Sequence, residues 1–314
     1  MKRTLIALAC LASTAAFAQS NVTIYGRLNT SVEYQKNIDS TDSKTVLQNN
    51  ASRLGFKGTE DLGGGLKALF LIEHRFNSDT GTTTGDFWSG DAYVGVQSNY
   101  GTVRLGRITS PAYYATADYV SMHNHDTGTS EDKLYDYHTS NKNTVAYLTP
   151  TFNGFNLEIA HSLGEGDDAA KSTQVAANYD AGALHLGAGY SQNEGDLNPK
   201  QFAIRALYEL GAFTFGGYYQ RSDYDVLGTR DAVRGSVMYT LGASEFHLNI
   251  GWADDWSKID NSEAKQYTVA YNYNLSKRTK VYAFYTKVDQ KDLTYFGVEG
   301  KDPSSFAVGV RHNF

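Results

Sequence analysis

The stretch Ser304–Phe314, which reads SSFAVGVRHNF, decides the fold. One set of alternate residues is mainly apolar: Phe306, Val308, Val310, His312 and Phe314. The residues between them are small or polar: Ala307, Gly309, Arg311 and Asn313. A period of two predicts a β-strand with two different faces. A strand that ends on an aromatic residue with no tail after it is what a barrel needs if its last strand pairs with its first.

Residues 1–18 have the layout of a secretory signal peptide. Two basic residues come first, an apolar run follows, and Ala16-Phe17-Ala18 supplies small residues at a cleavage site. We predict cleavage after Ala18, which leaves residues 19–314 as one exported domain. A lipoprotein signal acylated at Cys10 is the alternative, but the residues before Cys10 lack the expected order and the apolar run would be very short.

Composition narrows the class of protein. The net charge of −6 makes nucleic acid a poor partner. The single cysteine lies inside the predicted signal peptide, so the mature chain forms no internal disulfide. No later segment has about eighteen consecutive apolar residues, so we expect no transmembrane helix. Many tyrosines and glycines with only four prolines indicate strands, but composition alone also allows a lectin-like sandwich.

Alternation recurs along the whole chain. In the segment 21–35, Val22, Ile24 and Val32 share one face, whereas Asn29 and Glu33 share the other. The second face is too polar to be a core. Similar patterns follow, and we count about sixteen such segments. The sequence therefore predicts strands with one apolar face and one wet face.

The connections between these segments alternate in length. Short turns such as Glu60–Gly65 and Asp180–Gly182 are followed by longer polar stretches such as Lys36–Asn50 and Asn77–Phe87. Short turns at one end and long loops at the other are typical of an outer-membrane barrel. Aromatic residues near many strand ends agree with interfacial girdles.

The segment 109–140 is the longest exception to the alternation. It shows no sustained period and is longer than ordinary loops, which favours a functional role. Its five tyrosines argue against disorder. We interpret it as the third external loop.

The motifs then resemble a known family. Residues 52–68 read SRLGFKGTEDLGGGLKA, residues 101–107 read GTVRLGR and residues 309–314 read GVRHNF. Together they resemble the Gram-negative general porins of the neisserial and beta-proteobacterial group. The resemblance implies a 16-stranded antiparallel transmembrane β-barrel in the outer membrane, usually a homotrimer, with an inward-folded third loop. The terminal Phe314 resembles the sorting signal that the barrel assembly machinery reads.

In that family, basic residues of the wall face acidic residues of the third loop across a constriction. The matched motif assigns Arg53 to the wall, and strand alternation adds four more basic residues to the same inward face: Arg27, Lys57, Arg75 and Arg104. The loop candidates are Asp118, Glu131 and Asp132. The chain also departs from the family, since Ser89-Gly90-Asp91 and His138-Thr139-Ser140-Asn141 stand where many members carry arginines. The departures put an anion preference in doubt.

Other chemistry is weakly supported. The segment Gly63–Ala68 formally matches a dinucleotide-binding pattern, but alternation follows it where a helix is needed, so we interpret it as a tight turn. His123 and His125 with Asp126 fall short of the three or four ligands of a closed metal site. No G-x-S-x-G motif occurs. We expect no enzyme, no cofactor and no metal.

The leading functional hypothesis is general diffusion of small hydrophilic solutes and ions through a water-filled barrel set in outer-membrane lipid. A substrate-specific channel is the second hypothesis, in which Tyr113, Tyr114 and Tyr119 would stack on a sugar or amino-acid ring. A non-conducting adhesin or an outer-membrane enzyme is the third.

Overall fold

The computed structural model describes residues 21–39, 42–123, 128–137, 141–166, 171–195 and 197–314. The predicted signal peptide, residues 1–18, lies outside them. Within these ranges, no helix has the length and apolar character needed to cross a membrane.

The fold is one antiparallel sheet that closes on itself, because β1 pairs with β17 as well as with the strands that follow it. The strands are β1 (Asn21–Lys36), β2 (Ser43–Asn49), β3 (Ser52–Gly63), β4 (Leu66–Phe76), β5 (Ala92–Ser98), β6 (Gly101–Arg107), β7 (Thr144–Leu148), β8 (Phe155–Ser162), β9 (Ser172–Ala181), β10 (Leu184–Asn193), β11 (Lys200–Leu210), β12 (Phe213–Tyr224), β13 (Gly228–Leu241), β14 (Ser244–Ala253), β15 (Ala264–Asn274), β16 (Thr279–Gln290) and β17 (Ser304–Asn313).

The barrel has sixteen strand positions, as predicted, because β2 and β3 share one of them. β2 pairs with the second half of β1 and β3 pairs with its first half. The break between them falls at Asn50–Ala51, where Ala51 adopts a positive φ of 55°. The prediction of Lys36–Asn50 as an external loop was therefore wrong for Ser43–Asn49. Its polar composition hid a strand that extends the ladder of β1.

Burial alternates along the strands, but here the apolar side chains are exposed and the polar ones are buried, which is the reverse of a soluble protein. Four apolar side chains of β1 are 44–60% exposed: Val22, Ile24, Leu28 and Val32. The polar side chains on its other face are at most 1% exposed: Asn29, Ser31 and Glu33. The barrel thus has an apolar exterior, suited to hydrocarbon, and a polar interior. This confirms the two faces that the sequence predicts.

The seam of the barrel ends at Phe314. The backbone N–H of Gly26 donates to the Phe314 carbonyl oxygen at 3.0 Å, and the Phe314 N–H donates back to the Gly26 oxygen at 3.1 Å. A Cβ atom at Gly26 would lie 2.3 Å from Cζ of Phe314. The ring therefore occupies space that only glycine leaves open. Pairing of both strands here removes the sheet edges that hydrocarbon would leave unsatisfied.

The glycine-rich segment that matched a nucleotide-binding pattern is a turn. Gly63, Gly64 and Gly65 all have positive φ and connect β3 to β4, which form a hairpin. No helix follows, so the turn interpretation is confirmed.

The segment predicted as the third loop is described over residues 109–123 and 128–137. It contains the short helix α1 (Pro111–Tyr113) and a π-helical turn (Tyr114–Asp118). Asp91 fastens its start by accepting hydrogen bonds from both the N–H and the hydroxyl of Thr109, each at 2.7 Å.

This loop packs on the polar face of the sheet. Arg205 of β11 donates through Nε to the Ala115 carbonyl oxygen at 2.8 Å. A Cβ atom at Gly187 of β10 would lie 2.1 Å from that same oxygen, so glycine permits the close approach. Further along, Arg230 of β13 donates to the Leu134 carbonyl oxygen at 2.9 Å. The described part of the loop therefore lies against the polar face of β10–β13.

Candidate functional site

Two cavities lie between the loop and the barrel wall. The first has a volume of about 470 Å³ and the second about 340 Å³. Asp118 and Ser121 of the loop line both, so the cavities meet at these two residues. Charged residues around the first cavity are Arg53, Arg75, Arg107, Asp118, Glu131, Asp132 and Lys133. Charged residues around the second are Arg27, Asp118, Glu245, Lys280 and Arg311.

Arg53 and Arg75 form the basic side of the first cavity. They lie directly opposite each other on β3 and β4. Like charges in that position repel, and Glu73 offsets the repulsion between them. Its Oε1 lies 3.2 Å from Arg75 Nε and 3.9 Å from Arg53 Nη1. The structure thus brings together two of the five basic wall residues that the sequence predicts, with a carboxylate between them.

Arg107, the last residue of β6, completes this basic side. This role was not predicted from the sequence. Its Nε donates to the Ser89 carbonyl oxygen at 3.1 Å. Strict alternation from Arg104 would place Arg107 on the outer face. Gly106, with a φ of 143°, precedes it and interrupts the regular strand geometry. A positively charged side chain therefore lies beside the Ser89-Gly90-Asp91 segment. The resemblance had led us to expect that the basic residues of the family are missing there.

Lys57 and Arg104 do not line either cavity. The Lys57 ammonium lies 5.3 Å from the centroid of the Tyr25 ring. Arg104 forms an ion pair with Glu158, and its guanidinium lies 5.2 Å from the centroid of Tyr93. Alternation predicted their face of the sheet but not their height in the barrel.

The three acidic loop residues have different surroundings. Asp118 lies where the two cavities meet, and Glu131 forms an ion pair with Lys133. The side chain of Asp132 is 6% exposed and that of Arg234 only 1%, with 2.9 Å between Oδ2 and Nη1. The hydroxyl of Tyr218 also donates to Asp132. Asp132 therefore anchors the loop to the barrel wall through these two contacts, and it also lines the first cavity.

Arg234 holds two parts of the loop at once. Besides Asp132, it donates through Nη2 to the Ala117 carbonyl oxygen at 2.9 Å and to the Ser121 hydroxyl at 3.2 Å. No pattern in the sequence indicates this role, because the partners are 100 or more residues apart along the chain.

The second cavity has its own basic cluster. Arg27, which the sequence assigned to the same wall as Arg53, lines this cavity instead, together with Lys280 and Arg311. Lys280 forms an ion pair of 3.1 Å with Glu245. The cluster lies at the short-turn end of the barrel, since Arg27 is close to the seam with Asn313 (3.3 Å from Nε to Oδ1).

The loop tyrosines differ in what they reach. Tyr113 and Tyr114 line the first cavity, whereas Tyr119 lies under the Arg205 guanidinium, 3.4 Å from the ring centroid. Tyr113 packs edge-on against Tyr137, with ring centroids 5.1 Å apart. Partial desolvation, together with the nearby Asp91 carboxylate, raises the pKa of the Tyr114 hydroxyl above its usual range.

The candidate metal residues do not form a site that the structure describes. His123 Nδ1 lies 2.7 Å from the amide oxygen of Asn272. His125 and Asp126 lie outside the described residues. Among those that are described, no group of three or more His, Cys, Asp or Glu side chains is placed to hold a metal ion.

Comparisons with known proteins agree with this architecture. A family model described as Gram-negative porin matches residues 4–293. Outer membrane porin protein 32 of Delftia acidovorans is 31% identical over 356 aligned residues that cover 100% of both chains. The major outer membrane protein P.IB of Neisseria gonorrhoeae is 30% identical over 193 residues, 57% of this chain and 53% of that protein.

Among solved structures, the anion-selective porin from Comamonas acidovorans superposes with a TM-score of 0.82 and 28% identity, covering 94% of this chain and 100% of the other. The family match spans most of the chain, and the Delftia relative matches it from end to end. The chain therefore belongs to the Gram-negative porin family and is an outer-membrane porin.

Proposed function

We propose that this porin passes small hydrophilic solutes and ions by passive diffusion, with a modest preference for anions, and that the loop 109–140 narrows the path. The observation that carries the proposal is the pair of cavities inside the barrel, each with basic wall residues on one side and loop residues on the other. A closed sixteen-position barrel leaves room for water in its lumen.

The charges around the two cavities favour anions. The described residues that line them include seven basic and four acidic side chains. The basic ones are Arg27, Arg53, Arg75, Arg107, Lys133, Lys280 and Arg311, and the acidic ones are Asp118, Glu131, Asp132 and Glu245. Rings of charge of one sign select ions of the other sign in water-filled pores. Opposed charges across the first cavity also orient polar solutes and penalise apolar ones.

Diffusion leaves the solute chemically unchanged, and the proposal includes no catalytic step. A pore must also release what it admits, so each contact with a solute is weak. We further propose a homotrimer in outer-membrane lipid, assembled by the barrel assembly machinery through recognition of Phe314. The family resemblance supports both, and the position of Phe314 at the end of the seam supports its role in assembly.

The double change of Arg53 and Arg75 to Ser is expected to shift the selectivity toward cations. A unit charge about 4 Å from an ion contributes about 1 kcal/mol in water, so removing two weakens the attraction for an anion by about 2 kcal/mol, which corresponds to about thirtyfold. The anion-to-cation permeability ratio should therefore fall by more than about tenfold. The reversal potential of reconstituted protein in a salt gradient measures this ratio.

Lys57→Ser is the control, because it removes one positive charge from the same face of β3, four residues from Arg53, while Lys57 lines neither cavity. We expect a much smaller shift for it. Equal shifts for the control and the double variant would show that Arg53 and Arg75 have no special position along the path.

A further inference from the structure

Three cations lie side by side at the short-turn end of the barrel. Lys280 of β16 and Arg311 of β17 are directly opposite each other in the ladder. Arg27 lies on β1, the next strand, where its partner Asn313 is two residues beyond Arg311. Like charges directly opposite on neighbouring strands destabilise a sheet. The arrangement is therefore unfavourable for the barrel alone.

All three side chains belong to the inner face. Tyr282, two residues from Lys280, is 2% exposed, and Asn29, two residues from Arg27, is 0% exposed. Residues two apart on a strand share a face. Lys280, Arg311 and Arg27 all line the second cavity, which is large enough at about 340 Å³ for a small ion with part of its water shell.

Two carboxylates line the second cavity together with this cluster. Glu245 forms an ion pair with Lys280 at 3.1 Å, and the same carboxylate accepts hydrogen bonds from Asn272 at 2.9 Å and Asn274 at 2.6 Å. The other carboxylate among the described residues of this cavity is Asp118, which also lines the first cavity. Three positive charges thus face two negative ones, and one of those two is shared with the first cavity.

We propose that Lys280, Arg311 and Arg27 form a transient binding subsite for small dianionic oxyanions such as phosphate, on the short-turn side of the loop and separate from the Arg53–Arg75 pair. A dianion among three cations relieves their mutual repulsion, and each contact is a charge-assisted hydrogen bond. Short turns lie on the periplasmic side of outer-membrane barrels, so the subsite holds the anion after it has passed the loop from outside.

The proposal deepens the proposed function, because it assumes that anions enter the lumen. The test measures chloride conductance in planar bilayers while inorganic phosphate is added at about pH 8, where phosphate groups are mainly dianionic. We expect phosphate to reduce the chloride current in a saturable way. In Lys280→Gln and in Arg311→Gln, loss of one charge-assisted contact of about 1.5–3 kcal/mol should weaken this effect about ten- to a hundredfold.

Arg278→Gln is the matched control, because Arg278 lies in the turn at the same end and lines a neighbouring cavity but not the second one. It should leave the phosphate effect close to that of the native protein. The proposal would be overturned if phosphate still reduced the chloride current in both the Lys280 and Arg311 variants. It would also be overturned if only the Arg53→Ser and Arg75→Ser double variant abolished the phosphate effect. Chloride conductance with no phosphate effect would also overturn it while leaving the proposed diffusion function intact.

A second measurement does not need conductance. Phosphorus-31 line broadening of inorganic phosphate with detergent-solubilised protein detects weak, rapidly exchanging binding. Broadening by the native chain that is lost in Lys280→Gln and retained in Arg278→Gln supports the subsite. Equal line widths with and without protein contradict it.

Discussion

Replacement of Arg234 by Met is expected to release the third loop from the barrel wall. The change leaves the Asp132 carboxylate buried without its guanidinium partner, and removing one member of a buried ion pair costs about 3–5 kcal/mol. It also removes the donors to Ala117 and Ser121. Because that cost falls on the docked loop and not on the ladder of strands, we expect larger and noisier single-channel currents and faster proteolysis within residues 109–140.

Two controls isolate the buried pair. The double variant Asp132→Leu with Arg234→Met removes both charges, and replacing a buried pair with apolar residues is often close to neutral, so the loop should stay docked more firmly than in the single variant. Arg221→Met breaks an exposed pair with Asp231 of the same 2.9 Å length and should change stability by no more than about 1 kcal/mol. Native currents and native proteolysis in Arg234→Met would contradict the anchoring role.

Deletion of Phe314 is expected to lower the amount of folded barrel in the outer membrane. The pore properties of the barrels that do fold should change little. The deletion removes two backbone hydrogen bonds that close the seam, each contributing about 0.5–1.5 kcal/mol, and it removes the ring that fills the space beside Gly26. The measurement is the quantity of folded protein in isolated outer membranes.

Phe314→Ala separates the two contributions, because it retains the backbone bonds and removes only the ring. Phe306→Ala is the matched control, since Phe306 is an exposed aromatic residue of the same strand, away from its end. Its membrane level should stay near that of the native protein. Native levels after deletion of Phe314 would show that the seam closes without it.

The alternation of residues predicted the two faces, and together with the alternating loop lengths and the terminal strand ending on Phe314 it predicted the barrel and its closure. It works because side chains alternate strictly on a strand, so a polar face repeated in every strand must line a wet interior. The matched motif assigned Arg53 to the inner wall and the alternation assigned Arg75 to the same face, and both residues line the first cavity.

What the sequence could not give was position along the barrel axis and pairing across it. Height depends on strand tilt and register, which is why Lys57 and Arg27 share a face with Arg53 yet do not reach the first cavity. The position of Arg107 on the first cavity was not predicted because Gly106 interrupts the alternation. The anchoring of Asp132 by Arg234 depends on two segments that meet only in the folded chain.

The reversal potential of the native protein in a potassium chloride gradient tests the central claim most directly. Seven basic and four acidic side chains around the path predict an open conductance whose reversal potential has the sign of chloride preference. A cation-selective reversal potential, or protein that inserts into the bilayer and carries no current, would contradict it.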